Sequence, residues 1–240
     1  MKIGILQVDS VLPEFRDCFG NYPQMFESVL SCATASDEDI SFQNYDIQNR
    51  ESPGHLDECD GYVITGGKDS VYDDHSWIRE LEDLVKNLHS ARKKLVGICF
   101  GHQLIANCLG GEAGLAPQGW TVGVQTSRIT GDGMHRYNWM RPGVEEFNMI
   151  SSHKDQVLQL PEEATVYCGS EACPIGGFSM GEHIITFQGH PEFSAAYSNE
   201  LMKFRRELIG ELCYTKGQAS LQLPLDRDLV GRWILNFIAG

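Results

Sequence analysis

The hydrophobic positions of this chain form short continuous runs separated by longer runs with helical spacing. The apolar runs at 3–8 and 95–98, and the stretch 60–65 with its apolar centre, predict strands that are covered on both faces. Between the last two, residues 77–92 carry apolar side chains three or four positions apart on a charged background, which predicts an amphipathic helix. The order strand, helix, strand predicts right-handed crossovers and therefore a largely parallel sheet.

The segments around this central pattern are less regular. Residues 9–22 mix proline, glycine and aromatic residues and predict a loop, which leads into a helix at 23–32 and a second strand at 40–47. In the second half the apolar runs shorten and predict a mixed or antiparallel extension of the sheet, with a turn at 131–133. The strands predicted in this half are 119–129, 143–150, 164–169 and 184–188.

The C-terminal tail has the pattern of two amphipathic helices. They are predicted at 194–213 and 226–238, with Lys216-Gly217-Gln218 between them. Asp226 or Asp228 is a candidate N-cap for the last helix. No residue of the tail suggests chemistry, so we expect these helices to serve packing.

Cys99 lies in the turn between the strand at 95–98 and a helix predicted at 102–109. Gly97 and Gly101 stand two positions before and after it, which is the spacing of a nucleophile elbow. The start of a helix favours thiolate over thiol, because its free N–H groups and dipole are positive. The alternative is a buried structural cysteine, since cysteine is among the most buried residue types. The two glycines favour the nucleophile.

A second candidate lies at the end of the strand predicted at 184–188. His190 follows that strand, Pro191 prevents the strand from continuing, and Glu192 stands two residues beyond the histidine. A carboxylate at this distance can hold the imidazole in one tautomer. Cys99, His190 and Glu192 together make a complete catalytic triad.

Both stretches resemble the motifs of one family. Gly97-Ile98-Cys99-Phe100-Gly101-His102-Gln103, combined with Gln188-Gly189-His190-Pro191-Glu192, is similar to the class I (triad) glutamine amidotransferases. The resemblance runs from the first strand through Glu192. It implies one α/β domain over residues 1–240, flavodoxin-like and three-layered, with a largely parallel central sheet, a mixed or antiparallel extension and helices on both faces. Residues 1–195 would form the catalytic core, and residues 196–240 would form helices packed on it.

The resemblance also implies roles outside the triad. The backbone N–H groups of Gly67 and Phe100 would form the oxyanion hole, although glycines after a parallel strand can also be a simple tight turn. The backbone at Lys154 and Asp155 would hold the α-amino and carboxylate groups of the substrate, and Gln103 would approach from the elbow helix.

The chain departs from the family pattern in the loop after Gly67. Lys68-Asp69 occupies a place where the family usually has proline or a small residue, so the resemblance gives these two side chains no role. In the segment 151–157, which resembles the family's Ser-His-x-Asp-x-Val motif, we interpret His153 as a structural hydrogen-bonding residue rather than a second base.

The composition limits the partners and the compartment. With 33 acidic and 19 basic residues the formal net charge is -14, so the protein repels nucleic acid and anionic membranes and we expect neither as a partner. The eight cysteines include no CxxC pair and no metal-ligand spacing, so we expect no disulfide framework, no metal and no cofactor. The first apolar run is too short for a secretory signal, and a reducing cytoplasm would suit a catalytic thiol.

Three functions remain open at this point. The first is a stand-alone amidotransferase that hydrolyses glutamine through a γ-glutamyl thioester and delivers ammonia to a separate synthetase subunit, since no Gly-Lys-Ser/Thr phosphate loop is present. The second is a hydrolase of γ-glutamyl amides or peptides. The third is a non-catalytic binding or regulatory domain, against which the intact triad argues. The choice between the first two depends on the pocket beyond the γ-carboxamide, which we expect the loops 68–75 and 112–120 to shape.

Overall fold

The computed structural model of the protein describes residues 1–34, 39–130, 137–140 and 143–240, so the turn expected at 131–133 lies outside the described residues. The strands are β1 (Lys2–Gln7), β2 (Ser41–Asp46), β3 (Gly61–Ile64), β4 (Lys94–Ile98), β5 (Glu112–Leu115), β6 (Thr121–Ile129), β7 (Glu146–His153), β8 (Asp155–Gln159), β9 (Ala164–Gly169), β10 (Gly177–Met180) and β11 (Ile184–Phe187). The helices are α1 (Pro13–Phe19), α2 (Tyr22–Ala33), α3 (Ser76–Ser90), α4 (Phe100–Cys108), α5 (Ala195–Phe204), α6 (Arg206–Ile209), α7 (Glu211–Ser220) and α8 (Arg227–Ala239), with a 3₁₀ turn at Ile47–Asn49.

One large sheet organises the described residues. Its strand order is β2-β1-β3-β4-β11-β10-β9-β6-β7, while β5 and β8 form a separate antiparallel pair. The five strands from β2 to β11 are parallel, and the four that follow pair antiparallel. The expectation of a largely parallel sheet with an antiparallel extension is confirmed.

Alternation along the strands places helices on both faces. Ile3 and Ile5 of β1 join a core with α2 and α8, whereas Leu6 of β1 joins a core with α3 and α4. Successive side chains of a strand point to opposite faces, so a continuous apolar run requires a helical layer on each side. The result is the expected three-layer α/β architecture.

The tail and the segment before α2 differ from the sequence-based expectation. Helix α1 occupies part of the expected loop at 9–22, and four helices replace the two expected ones. Gly217 lies inside α7 rather than between helices. A residue without a side chain is needed there, because a Cβ would come within 2.6 Å of Val122 Cγ2 and would prevent the helix from approaching β6. Asp226 precedes α8, but its carboxylate accepts from the backbone N–H of Asn148 (2.7 Å) instead of capping the helix. No helix of the described residues is long and apolar enough to cross a bilayer.

Candidate active site

The loops that follow three adjacent parallel strands meet at one edge of the sheet. β4 lies between β3 and β11, with Gly97 opposite Ile64 and Ile98 opposite Phe187. The carboxyl ends of these strands are therefore level, and ligands of open α/β sheets bind at such an edge. The loops carry, in order, the Gly66-Gly67 turn, Cys99, and the segment from Gln188 to Glu192.

Cys99 has the backbone of a nucleophile elbow. Its φ is +50° and its ψ is -98°, a strained conformation for a residue with a side chain, and its N–H donates to the Phe187 carbonyl (2.8 Å). The flanking glycines are required by close contact. A Cβ on Gly97 would lie 2.7 Å from the carbonyl carbon of Gly101, and a Cβ on Gly101 would lie 2.7 Å from Ile64 Cβ. The thiol thus stands directly at the N-terminus of α4.

His190 and Glu192 form the second half of the site. His190 Nδ1 lies 2.7 Å from Glu192 Oε1, and the His190 N–H donates to the Ile150 carbonyl (2.8 Å), which bridges this loop to β7. Since the carboxylate can only accept, Nδ1 carries a proton. Nε2 is buried and has no hydrogen-bond partner among the described residues, so it is available for proton transfer.

The protonation of His190 is set by its neighbours. Burial alone would lower its pKa, but the negative charges of Glu192 and of the Cys99 thiolate outweigh that effect and raise the pKa to about 10. The histidine is therefore protonated at neutral pH, with Nδ1 bonded to the Glu192 carboxylate and Nε2 carrying a proton that it can transfer. This charge state suits attack by a thiolate followed by protonation of the leaving group.

Two residues that sequence reasoning missed support the triad. The Phe193 ring stacks on the His190 ring, with the centroids 4.0 Å apart and the planes 10° from parallel. Arg227, at the start of α8, donates to the carbonyls of Pro191 (2.9 Å) and Glu192 (3.1 Å). Phe193 could have been noticed beside the motif, but Arg227 lies 35 positions after Glu192 and has no local signal.

Gln103 and Gln188 link the nucleophile to β8. The side-chain amide of Gln188 lies 3.5 Å from Cys99 Sγ, and its oxygen accepts from Gln103 Nε2 (3.2 Å). Gln103 Nε2 also donates to the Asp155 carbonyl (2.8 Å). Gln103 thus has a structural role, its expected approach to the substrate stays a prediction, and Gln188 is a further contact of the thiol.

The proposed oxyanion donors are neighbours. A Cβ placed on Gly67 would lie 3.8 Å from Phe100 Cβ and 3.1 Å from Val8 Cγ2, so the two residues lie close together beyond the ends of β3 and β4. Lys68, next to Gly67, pairs with Asp9 through both its N–H and its ammonium group (3.1 Å each). That pair fixes the loop in which Gly67 lies, which is the contribution the Lys68 side chain makes in this structure.

A cavity of about 330 Å³ connects the nucleophile with most of the other expected site residues. Cys99, Gly67, Gln103, Lys154 and Asp155 all line it, as do parts of the loop 68–75 and Trp120. A narrow crevice adjoins the cavity and reaches His190. The far wall of the cavity is formed by the region of α5 and α6, for which the sequence predicts only a packing role. The residues of this wall are Phe204, Arg205 and Leu208.

Lys154 and Asp155 are tied to neighbouring segments by hydrogen bonds. The Lys154 carbonyl accepts from Ala116 N–H (2.8 Å), and the Asp155 carboxylate accepts from Ser70 Oγ (2.6 Å). His153 Nδ1 donates to the Asp155 carbonyl (2.9 Å), and burial lowers the pKa of His153 to about 4. A neutral histidine held by a backbone carbonyl fits the interpretation of His153 as a structural residue.

Two other features of the described residues have some of the properties of a site. Asp69, Asp73 and His75 hold ligand atoms within 4.8 Å of one another, but Asp73 is committed to the N–H of Ser70 (2.8 Å) as part of a turn. A larger cavity, of about 870 Å³, lies at the opposite end of β4 and is lined in part by Lys94 and Trp139. It is remote from Cys99, and we place the chemistry at the elbow.

Comparison with known proteins agrees with this geometry. Residues 18–207 match the family model of glutamine amidotransferase class-I. Gamma-glutamyl peptidase 3 of Arabidopsis thaliana is 30% identical over 229 residues, which cover 92% of this chain and 90% of that protein. One subunit of the glutamine-hydrolyzing GMP synthase of Methanocaldococcus jannaschii is 30% identical over 149 residues, 61% of this chain and 72% of that subunit. The crystal structure of a glutamine amidotransferase from Thermotoga maritima has the same fold, with a TM-score of 0.74 at 20% identity, covering 99% of this chain and 96% of that one.

Proposed function

The chain belongs to the class I glutamine amidotransferase family and is a cysteine amidohydrolase, and we propose that it cleaves γ-glutamyl amide bonds with γ-glutamyl peptides as the preferred substrates. The observation that carries this preference is the space beyond Cys99. Ammonia, the leaving group from glutamine, needs no binding surface, whereas this cavity continues to Trp120 and to a rim where Phe204 and Leu208 are 58% and 66% exposed. Apolar side chains at the mouth of a cavity suit a leaving group that has a side chain of its own. The similarity to gamma-glutamyl peptidase 3 supports the same substrate class.

The mechanism follows from the charge state of the site. The Cys99 thiolate attacks the γ-carbonyl carbon, and the N–H groups of Gly67 and Phe100 stabilise the resulting oxyanion. His190 transfers its Nε2 proton to the departing amine, the C–N bond breaks, and a γ-glutamyl thioester remains on Cys99.

Hydrolysis of the thioester reverses the role of His190. The now neutral Nε2 takes a proton from water, and the hydroxide attacks the thioester carbonyl. Glutamate leaves, and Cys99 returns to the thiolate beside a protonated His190. Glu192 keeps Nδ1 protonated throughout, so that Nε2 alone exchanges protons.

Glutamine hydrolysis coupled to a separate synthetase is the second candidate function. The similarity to a subunit of a glutamine-hydrolyzing GMP synthase favours it. On this alternative the chain would release ammonia for an acceptor on another polypeptide. It predicts slow glutamine turnover by the isolated chain and a large increase when the partner and its substrate are added.

The test is glutamate release from the purified chain, given glutamine or a panel of γ-glutamyl amino acids and dipeptides. We expect peptide turnover with a kcat/KM above that for glutamine, and loss of both in Cys99→Ala. Cys108→Ala is the matched control, because Cys108 lies at the far end of the same helix, and it should remain active. Turnover of glutamine alone would favour the synthetase-linked candidate and contradict the preference for peptides.

A further inference from the structure

Arg205 stands where the two parts of the catalytic cavity join. It lies at the break between α5 and α6, partly buried, and lines both the cavity of Cys99 and the crevice that reaches His190. Gly67 and Ser152 also line both. A side chain at this junction is close to the path of any group that departs from the carbonyl carbon toward His190.

The guanidinium group of Arg205 is without a carboxylate partner in the part of the chain that the structure describes. Its hydrogen bond runs from Nη1 to Ser152 Oγ (3.3 Å), which leaves most of its N–H donors unused. The next residue shows the contrast, since Arg206 forms two bonds to Glu211 (2.8 and 2.6 Å). In a chain with net charge -14, a partly buried and unpaired arginine inside a catalytic cavity indicates an anionic ligand.

The position of His190 decides which anionic group that is. His190 protonates the departing amine, so the leaving group must lie on the His190 side of Cys99. Arg205 reaches that side and also lines the cavity next to Phe204, on the rim that would take the leaving group, whereas Gln103 and Lys154 do not line the crevice. The α-carboxylate of the glutamyl group therefore belongs with Lys154, and a second carboxylate is left for Arg205.

We propose that Arg205 binds the free carboxylate of the leaving group and so selects γ-glutamyl amino acids or short peptides with a free C-terminus over γ-glutamyl amides that lack one. This inference rests on the proposed function. The planar fork of a guanidinium group matches a carboxylate in a bidentate arrangement, which ammonia or a neutral alkylamine cannot use. Binding of this kind discriminates, because the analogue without the charge leaves the arginine unpaired.

The test compares γ-glutamyl-leucine with γ-glutamyl-leucinamide, which differ only in the carboxylate. The natural chain should prefer the acid by roughly 10- to 100-fold in kcat/KM, the range expected for a charge-assisted hydrogen bond. In Arg205→Met that preference should disappear, whereas Arg205→Lys should retain part of it. Arg206→Met, the neighbouring arginine outside the cavity, should keep the full preference.

The outcomes separate the two claims. Cleavage of both substrates by the natural chain at equal rates would overturn the assignment of Arg205 and leave the proposed function standing. A full preference retained by Arg205→Met would overturn it as well. If Arg205→Met does not fold, as judged by its thermal transition, the acid-to-amide ratios of kcat/KM for the natural chain and for Arg205→Lys decide whether Arg205 binds the carboxylate. Failure of the natural chain to cleave either substrate would overturn the proposed function, and this inference with it.

Discussion

Replacing Gly101 by alanine tests whether close packing at the elbow is essential for catalysis. Gly101 lies in the first turn of α4, where alanine would ordinarily stabilise a helix by about 1 kcal/mol. Here the added Cβ would lie 2.7 Å from Ile64 Cβ and 2.8 Å from the Ile64 carbonyl oxygen, against an ordinary carbon–carbon contact of ~3.5–4.0 Å. The Ile64 backbone cannot rotate away from the added Cβ as a flexible side chain would. Helix α4 must therefore move away from β3 by roughly 1 Å.

That movement has two measurable consequences. Overpacking costs about 1–3 kcal/mol, so Gly101→Ala should lower the free energy of unfolding by up to about 2 kcal/mol despite the gain in helix propensity. A displacement of ~1 Å separates the Phe100 and Gly67 donors and should lower kcat/KM about 100-fold.

Urea unfolding and glutamate release with a γ-glutamyl peptide measure the two effects. Gly114→Ala is the control, because its Cβ would meet only the end of the flexible Leu158 side chain, at 3.1 Å, and it should change neither quantity strongly. A Gly101→Ala variant as stable as the natural chain and within about twofold of its activity would refute the reasoning, since it would show that the elbow tolerates a clash that should cost about 100-fold in rate.

Two further predictions concern His190. Glu192→Gln removes a negative charge that, against the effect of burial, helps to raise the pKa of His190 to about 10. The alkaline limb of the kcat/KM profile should therefore move to lower pH. A limb that stays in place would contradict this cause of the raised pKa. Arg227→Met removes the hydrogen bonds to the Pro191 and Glu192 carbonyls, and because this loop positions His190, we expect kcat to fall roughly 10-fold with KM little changed. Steady-state kinetics would show the opposite pattern, a raised KM at constant kcat, if Arg227 acted on substrate binding instead.

The parts of the fold that could be predicted from the sequence are those with a local signal. A continuous apolar run favours a strand covered on both faces, which is why the sequence predicts β1, β3 and β4. The elbow is also recognisable, because Gly97 and Gly101 are needed by contacts close to Cys99. In contrast, α1 spans only seven residues and none of them is fully buried, so its sequence is too short to show the periodicity by which a helix is recognised.

The parts that could not be predicted depend on tertiary contact. Gly217 is accommodated within a helix because α7 packs closely on β6, although glycine in isolation favours a break. Arg205 and Arg227 reach the site from the C-terminal helices, far along the chain from the motifs they serve. The triad is visible as two short motifs, but what supports it and what shapes its cavity comes from elements whose residues look like ordinary packing and surface positions.

Mass spectrometry of the acid-quenched protein during turnover tests the central claim most directly. The chain mixed with a γ-glutamyl peptide should gain the mass of one γ-glutamyl acyl group, located by digestion on the peptide that contains Cys99, and the label should be absent in Cys99→Ala and present in Cys108→Ala. Glutamate release at the same time with no acyl group on Cys99, or with the label on another cysteine, would contradict the thioester mechanism.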